Sequence, residues 1–521
     1  MLFFDEDSNA RFCTLEAGTM LPGDLEHIVD NLVDTDVKNM VVGTSIAPGT
    51  SDPYAWVNDF KMEKGLNQPW FITGPSRRGY RIKANELVLY RMGCDSSSYL
   101  LKRAKAAGMK TWITIRMNDQ HNTWIESYPS RPKVWVDHPE WRTRTCFPQS
   151  GFSYEHAAVR DLYYNLVKDN LRIYDSDGVV LDWMRHVPYF NEGEGRRFIP
   201  IMNEYLSSLR ELVNSFASRR GHKIEIAARI PASVAVAKYH GFDGVAWAEN
   251  GYVDRLIISP KYLRSYSLDP SEWKKNIRKT DFPVTACIDT PYQPYPGYPA
   301  DTPAGTWSRE LFDRRQLPFI RGACRIALHN GSDGIYLFNF MNVRDKKNMT
   351  EIFHECGSRE KLLGKNFSVD ISYDDLDMAE PDFIKGWRAP SNDEYFSRWR
   401  RKMKNAGCYP YQLPQELLPG ESCQFRFVTG PIPEKELPSV AFSFEGLSKA
   451  EVACNGQKCE FIDGRFHAVP RRCDTAVVTV KNISGETVEI LRASMHFSWD
   501  GDFPELYDPN QKFAIGVAAD I

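Results

Sequence analysis

Short apolar runs alternate with amphipathic helical stretches through the first two thirds of the chain, and that alternation predicts parallel β/α units. The strand candidates are Leu2–Phe4, Asn39–Gly43, Lys110–Arg116, Gly178–Trp183, Lys223–Arg229, Arg255–Ser259, Pro283–Ile288 and Gly334–Phe338. Between them lie helical patterns such as Ser98–Ala107, closed by Gly108 as a C-cap, and the long segment Glu194–Ala217. Eight strands with helical returns predict an α/β fold of the (β/α)8 TIM-barrel type, with catalytic groups at the carboxyl ends of the strands. A doubly wound open sheet is the alternative. No G-x-G-x-x-G follows the first strand, which removes most of the support for its dinucleotide-binding version.

From about Asn366 onward the pattern changes to period two, in Ser422–Thr429, Ser439–Phe444, Thr475–Val480 and Thr487–Leu491. Pro419-Gly420, Asn455-Gly456 and Asp463-Gly464 punctuate these stretches as turns. The expected organisation is a catalytic barrel over residues 1–360, followed by a linker and accessory β-sandwich over residues 361–521. The accessory part carries no catalytic cluster. It suits packing against the barrel or pairing of subunits into a homodimer.

Composition narrows the class. With 521 residues, 42% apolar, the chain buries a full core and is too long for one ordinary domain. A formal net charge of -3 supplies no global field for nucleic acid or an acidic membrane, so an anionic ligand has to be captured by local arginines. No run approaches the eighteen or so apolar residues of a membrane span. The start, Met1-Leu2-Phe3-Phe4-Asp5-Glu6-Asp7, has neither the basic nor the long apolar region of a signal peptide. The expectation is a cytoplasmic protein, or a secreted or periplasmic one if a signal peptide has been removed. Eleven cysteines without a C-x-x-C pair argue against a zinc site and a dense disulfide framework. No metal or other cofactor is expected.

The chemistry gathers at the strand exits. The third strand runs directly into Arg116-Met117-Asn118-Asp119-Gln120-His121, where a guanidinium, an amide, a carboxylate and an imidazole stand in six positions. Packing needs none of these groups there. Asp5-Glu6-Asp7 end the first strand, and Asp182, Arg185 and His186 end the fourth. Arg229 ends the fifth, Ser259 and Lys261 follow the sixth, Asp289 the seventh, and Asn339 and Asn342 the eighth. Bland roles compete for each residue. Asp182 could cap a helix or pair with an arginine, Asp5 and Asp7 could be solvated residues at the chain start, and Arg116 and Arg185 could pair with Asp119 and Asp182. Two loops, His121–Val136 with Trp124, Tyr128 and Trp135, and Asp289–Trp307 with Tyr292, Tyr295, Tyr298 and Trp307, offer aromatic faces suited to sugar rings.

At these residues the chain resembles the family-10-like glycosyl hydrolase barrels and, more sharply, the inverting exo-sialidases of glycoside hydrolase family 156. The likeness rests on Arg116, Asp119 and His121 in an R-x-x-D-x-H arrangement, Arg185 after the fourth strand, an asparagine after the last strand, and a barrel followed by a β-sandwich. The resemblance implies that His121 is the Brønsted acid and that Asp7 or Asp5 is the base. It further implies that Arg116 and Arg185 clamp the sialic acid carboxylate, with Asn339 or Asn342 on the substrate; Asn118, Asp119 and Asp182 are expected to line the site from their place at the strand exits. A sialoside is then the partner molecule. The chemistry is coherent without a metal: arginine forks suit a carboxylate, and a histidine of pKa about 6.5 protonates a leaving oxygen in mild acid. An aspartate on the opposite ring face activates water in one displacement. Two rivals stand beside this reading. One is a barrel glycosidase on a neutral or uronic polysaccharide with a carboxylate pair such as Asp182 and Asp289; the other is an inactive carbohydrate-binding barrel.

Overall fold

The computed structural model describes residues 1–6, 10–12, 15–44, 76–118, 133–144, 151–184, 188–191, 193–259, 268–289, 309–338, 340, 346–371, 415–447, 449–470, 474–490 and 492–504. Eight parallel strands close into a barrel in sequence order: β1 (Leu2–Glu6), β2 (Val37–Gly43), β3 (Lys110–Arg116), β4 (Gly178–Asp182), β5 (Glu225–Pro231), β6 (Arg255–Ser259), β7 (Val284–Asp289) and β8 (Gly334–Phe338). β8 pairs back onto β1 and completes the closure. The barrel expected from the apolar runs is the fold observed.

Side-chain alternation sorts each strand into an outer and an inner face. Outward residues such as Val42, Ile113, Leu181 and Ile258 join helix residues such as Leu100, Val167 and Leu209 in the large core between strands and helices. Inward residues form a separate cluster of Phe3, Val41, Trp112, Val180, Ala227, Ile257, Cys287, Tyr336 and Phe338, with every strand represented. Gly178 makes room for this layer, because a Cβ there would fall inside the Trp112 ring. The indole Nε1 donates to Asn39 Oδ1 at 3.1 Å, so the large polar side chain is satisfied inside the barrel.

Local signals set the helices. Asp95 caps the helix Ser96–Ala106 by accepting from Ser98 N at 2.6 Å, and Gly108 follows it at φ +77°. The segment expected to be one helix from Glu194 begins instead as a 3-10 turn, Gly195–Phe198. The α-helix Ile199–Arg220 then starts with Pro200 in its first turn, where the missing N–H costs nothing.

The C-terminal strands are β9 (Phe367–Ile371), β10 (Gln415–Leu417), β11 (Ser422–Val428), β12 (Ser439–Glu445), β13 (Ala450–Cys454), β14 (Gln457–Lys458), β15 (Glu460–Ile462), β16 (Arg465–Ala468), β17 (Thr475–Asn482), β18 (Val488–Ile490) and β19 (Arg492–Ser498). They form antiparallel sheets in the orders β11-β17-β13-β14 and β15-β16-β12-β19-β9, with β10 and β18 as a separate pair. Phe425, Val478 and Val480 of one sheet meet Phe442, Met495 and Phe497 of the other in a shared core, which is a β-sandwich. Asn455-Gly456 and Asp463-Gly464 take positive φ at both positions and make the two-residue hairpin turns expected of them.

The sandwich sits on the barrel through the helix Arg309–His329, which lies along β9. The approach is so close that a Cβ at Gly322 would collide with the Ser368 carbonyl oxygen. Arg325 of the same helix donates to Glu434 at 2.9 and 3.0 Å and to the carbonyls of Leu362 and Pro431. Cys94, Cys287, Cys324, Cys356, Cys423, Cys454 and Cys459 are free thiols. Among the described residues, no helix is long and apolar enough to cross a membrane.

Candidate functional site

The inner faces of the strands carry the apolar layer up to a sharp change. Two residues beyond Phe3, Val180, Ala227 and Ile257, on the same face and toward the carboxyl ends, stand Asp5, Asp182, Arg229 and Ser259. Each is 1% exposed or less, so charge is concentrated beneath the mouth of the barrel on an apolar floor. Buried charges persist only when hydrogen-bonded or paired, which makes their partners decisive.

Asp182 faces Arg229 with both carboxylate oxygens, at 3.3 and 3.2 Å from Nη1, and also accepts from Met184 N at 2.9 Å. Arg229 donates through Nε to Ser259 Oγ at 3.2 Å, and its guanidinium lies 3.8 Å above the Phe338 ring. β3, β4 and β5 run in register here, with Arg116 opposite Asp182 and Asp182 opposite Arg229. Asp5 is held differently: Tyr336 of the adjacent β8 donates its hydroxyl to Asp5 Oδ2 at 2.5 Å. Burial pushes the Tyr336 phenol well above its ordinary pKa, and Asp5 beside it adds to the shift, so the hydroxyl stays a donor.

Glu6, next along β1, points away from this group and pairs with Arg11. Arg11 also donates to Ser96 Oγ, Ser97 Oγ and the Gly43 carbonyl, at 3.0, 3.1 and 2.9 Å. That buried knot ties the exit of β1 to the end of β2 and to the start of the helix Ser96–Ala106.

Among the residues singled out in the sequence, the structure brings together Asp5, Asp182 and Arg229, and sets Arg116 at the end of β3 in the same rim. Asn118, expected to line the site, is buried. Its Oδ1 accepts from Phe152 N at 2.9 Å and its Nδ2 donates to the Phe152 carbonyl at 3.2 Å, so its amide pins a neighbouring segment. Asp182, also expected on the substrate, has the arginine partnership that was its bland alternative. Asp7, Asp119, His121, Arg185, Asn339 and Asn342 lie outside the described residues, as do His186, Lys261 and most of both aromatic loops. Tyr336 and Arg11 were not singled out. The signal for Tyr336 was its period-two relation to Gly334 and Phe338, which places it on the inner face of β8. Among the described residues, no group of three or more His, Cys, Asp or Glu could hold a metal ion.

No protein-family model matches the chain, and no curated protein matches it. Solved structures do. A maltogenic alpha-amylase from Thermotoga neapolitana is 14% identical with a TM-score of 0.32, over 94% of this chain and 98% of that one. The glycoside hydrolase domain of a Bordetella bronchiseptica protein is 10% identical with a TM-score of 0.36, over 68% and 98%. A trehalose-6-phosphate hydrolase from Bacillus licheniformis is 11% identical with a TM-score of 0.36, over 92% and 98%.

Proposed function

We propose that the protein is a glycoside hydrolase working at the carboxyl-end mouth of its barrel, and more specifically an inverting exo-sialidase. The observation that carries the reading is Asp5: a buried carboxylate at the carboxyl end of β1, oriented by a hydroxyl donated from the adjacent β8. Such a group suits a general base. Asp5 takes that role ahead of Asp7 because its orientation is fixed by a named partner.

In this reading His121 protonates the leaving oxygen while Asp5 removes a proton from the attacking water. Arg116 and Arg185 grip the carboxylate on the anomeric carbon, which anchors the sugar and aligns the scissile bond. A single displacement of this kind needs the acid and base about 6.5 to 9.5 Å apart and forms no covalent intermediate. The ion pair of Asp182 with Arg229 weighs against the rival carboxylate pair of Asp182 and Asp289, because that carboxylate is already engaged by a guanidinium within the barrel.

The test is a substrate panel. An aryl sialoside should be hydrolysed while aryl glycosides of neutral and uronic sugars are not. Turnover of a neutral or uronic glycoside in place of the sialoside would transfer the site to that substrate. Binding of sialosides without turnover of any glycoside would leave a carbohydrate-binding barrel.

A further inference from the structure

Among the described residues, the buried group at the mouth includes two carboxylates, Asp5 and Asp182, and the guanidinium of Arg229. Arg229 turns its Nη1 to Asp182. Tyr336 turns its hydroxyl to Asp5. Packing alone does not call for a hydroxyl there: phenylalanine would fill the same place among Phe3, Trp112 and Phe338 with no polar atom to satisfy. A hydroxyl donated to an ionised carboxylate stabilises the charged form and limits its rotation.

We infer that Tyr336 is a positioning residue for the reaction: by donating to Asp5 it fixes which carboxylate oxygen faces the attacking water and lowers that carboxylate's affinity for a proton. The inference rests on the reading of Asp5 as the base. Around the pair, the charged groups among the described residues include Asp182 from β4, Arg229 from β5 and Arg116 at the end of β3, while Glu6 on β1 itself pairs with Arg11. Carbon chemistry and electrons are untouched by this step; only the proton on Asp5 is at issue. With Tyr336 in place, Asp5 remains ionised, and ready to accept a proton from water, to a lower pH.

Tyr336→Phe tests it, with two readouts. In protein carrying carboxyl-labelled aspartate, the Asp5 resonance, identified by its loss in Asp5→Asn, should titrate about one to two pH units higher in Tyr336→Phe than in the wild type. The acid limb of kcat on an aryl sialoside should move up by the same amount, with KM changed less than about threefold. A role confined to packing would lower Tm and leave both midpoints in place, which overturns the inference. An Asp5 midpoint that moves under an unmoved acid limb overturns it too, because Tyr336 would then act on a carboxylate outside the reaction. Should Tyr336→Phe fold poorly, 3-fluorotyrosine incorporation keeps the ring and makes the phenol a stronger donor. Both midpoints should then fall, and midpoints that stay or rise overturn the inference. Failure of the parent reading shows separately, as a wild type that hydrolyses no sialoside.

Discussion

Two charged clusters in this molecule have the same ingredients and opposite surroundings. At the barrel mouth, buried Asp5 and Asp182 accompany Arg229; at the junction of barrel and sandwich, buried Asp370 and partly buried Glu445 accompany Arg492. In the junction both acids share the one arginine, with Arg492 Nε 2.7 Å from Asp370 and Nη1 3.2 Å from Glu445, and its guanidinium 4.9 Å from the Phe319 ring centre. Burial pushes both junction carboxyls up in pKa, and Arg492 only partly opposes it. A helix and a sheet close over them, so the charges serve assembly. At the mouth Arg229 donates to Asp182 and a phenol donates to Asp5, and the cluster lies at the carboxyl ends of the strands. Counting buried charges does not separate structure from chemistry. Where the cluster lies in the fold does.

The comparison breaks most visibly if the two sets of acids are exchanged in role. Asp5→Asn should lower sialoside turnover by roughly a hundred- to ten-thousand-fold with little change in Tm, whereas Asp370→Asn should leave kcat intact. His121→Ala should depress natural sialosides by a comparable factor and aryl sialosides far less, since a good leaving group needs little protonation. Equal losses on both substrates would remove His121 from the acid role.

The arginines should look alike in stability and unlike in activity. Arg229→Met and Arg492→Met each leave a buried carboxylate without its cation, which costs about 3–5 kcal/mol and is measurable by denaturant melts. Arg492→Met should retain kcat in its folded fraction; Arg229→Met should not. A smaller effect sharpens the junction alone. Gly322→Ala pushes a methyl into the Ser368 carbonyl and should cost about 1–3 kcal/mol, with the barrel's activity preserved at temperatures where the variant stays folded.

The junction also has a pH dependence. His496, held by Ser368 Oγ at 2.9 Å and Ser443 Oγ at 2.8 Å, is lowered by burial from 6.5 to about 3. The unfolded chain therefore takes up this proton first. The stability that neutral His496 contributes is complete above about pH 6.5 and declines by about 1.4 kcal/mol per pH unit as pH falls toward 3. Asp370 and Glu445, raised in the fold, contribute in the opposite sense, so the wild type should be compared with His496→Asn across pH 4 to 7. The variant should show the shallower acid decline. Parallel curves would place the imidazole outside the linkage.

The barrel was legible because its strands are short apolar runs whose periodicity is local. β3, β6 and β8 have the bounds read from the sequence, and β1 and β5 run two residues further than expected. The overrun is instructive. Asp5-Glu6 looked like an exit, yet both remain in the strand, where Tyr336 and Arg11 bind one oxygen of each. Arg11 is five positions from Glu6, but Tyr336 is 331 positions from Asp5, a distance no local pattern spans. The same holds for Asn118, whose partner Phe152 is 34 residues on, and for Asp182, whose arginine is 47 residues away. Residue type and strand position located the rim. Which donor each acid received was decided by barrel closure, and closure is a property of the whole chain.

If the barrel mouth hydrolyses sialosides by direct displacement, the stereochemistry of the first product will show it. Proton NMR of an α-sialoside digest, recorded before mutarotation, should show β-sialic acid appearing first with the wild type, at a rate that Asp5→Asn lowers by at least a hundredfold or so. First appearance of the α-anomer would require a covalent intermediate and contradict the mechanism. Absence of free sialic acid from the wild type would contradict the function itself.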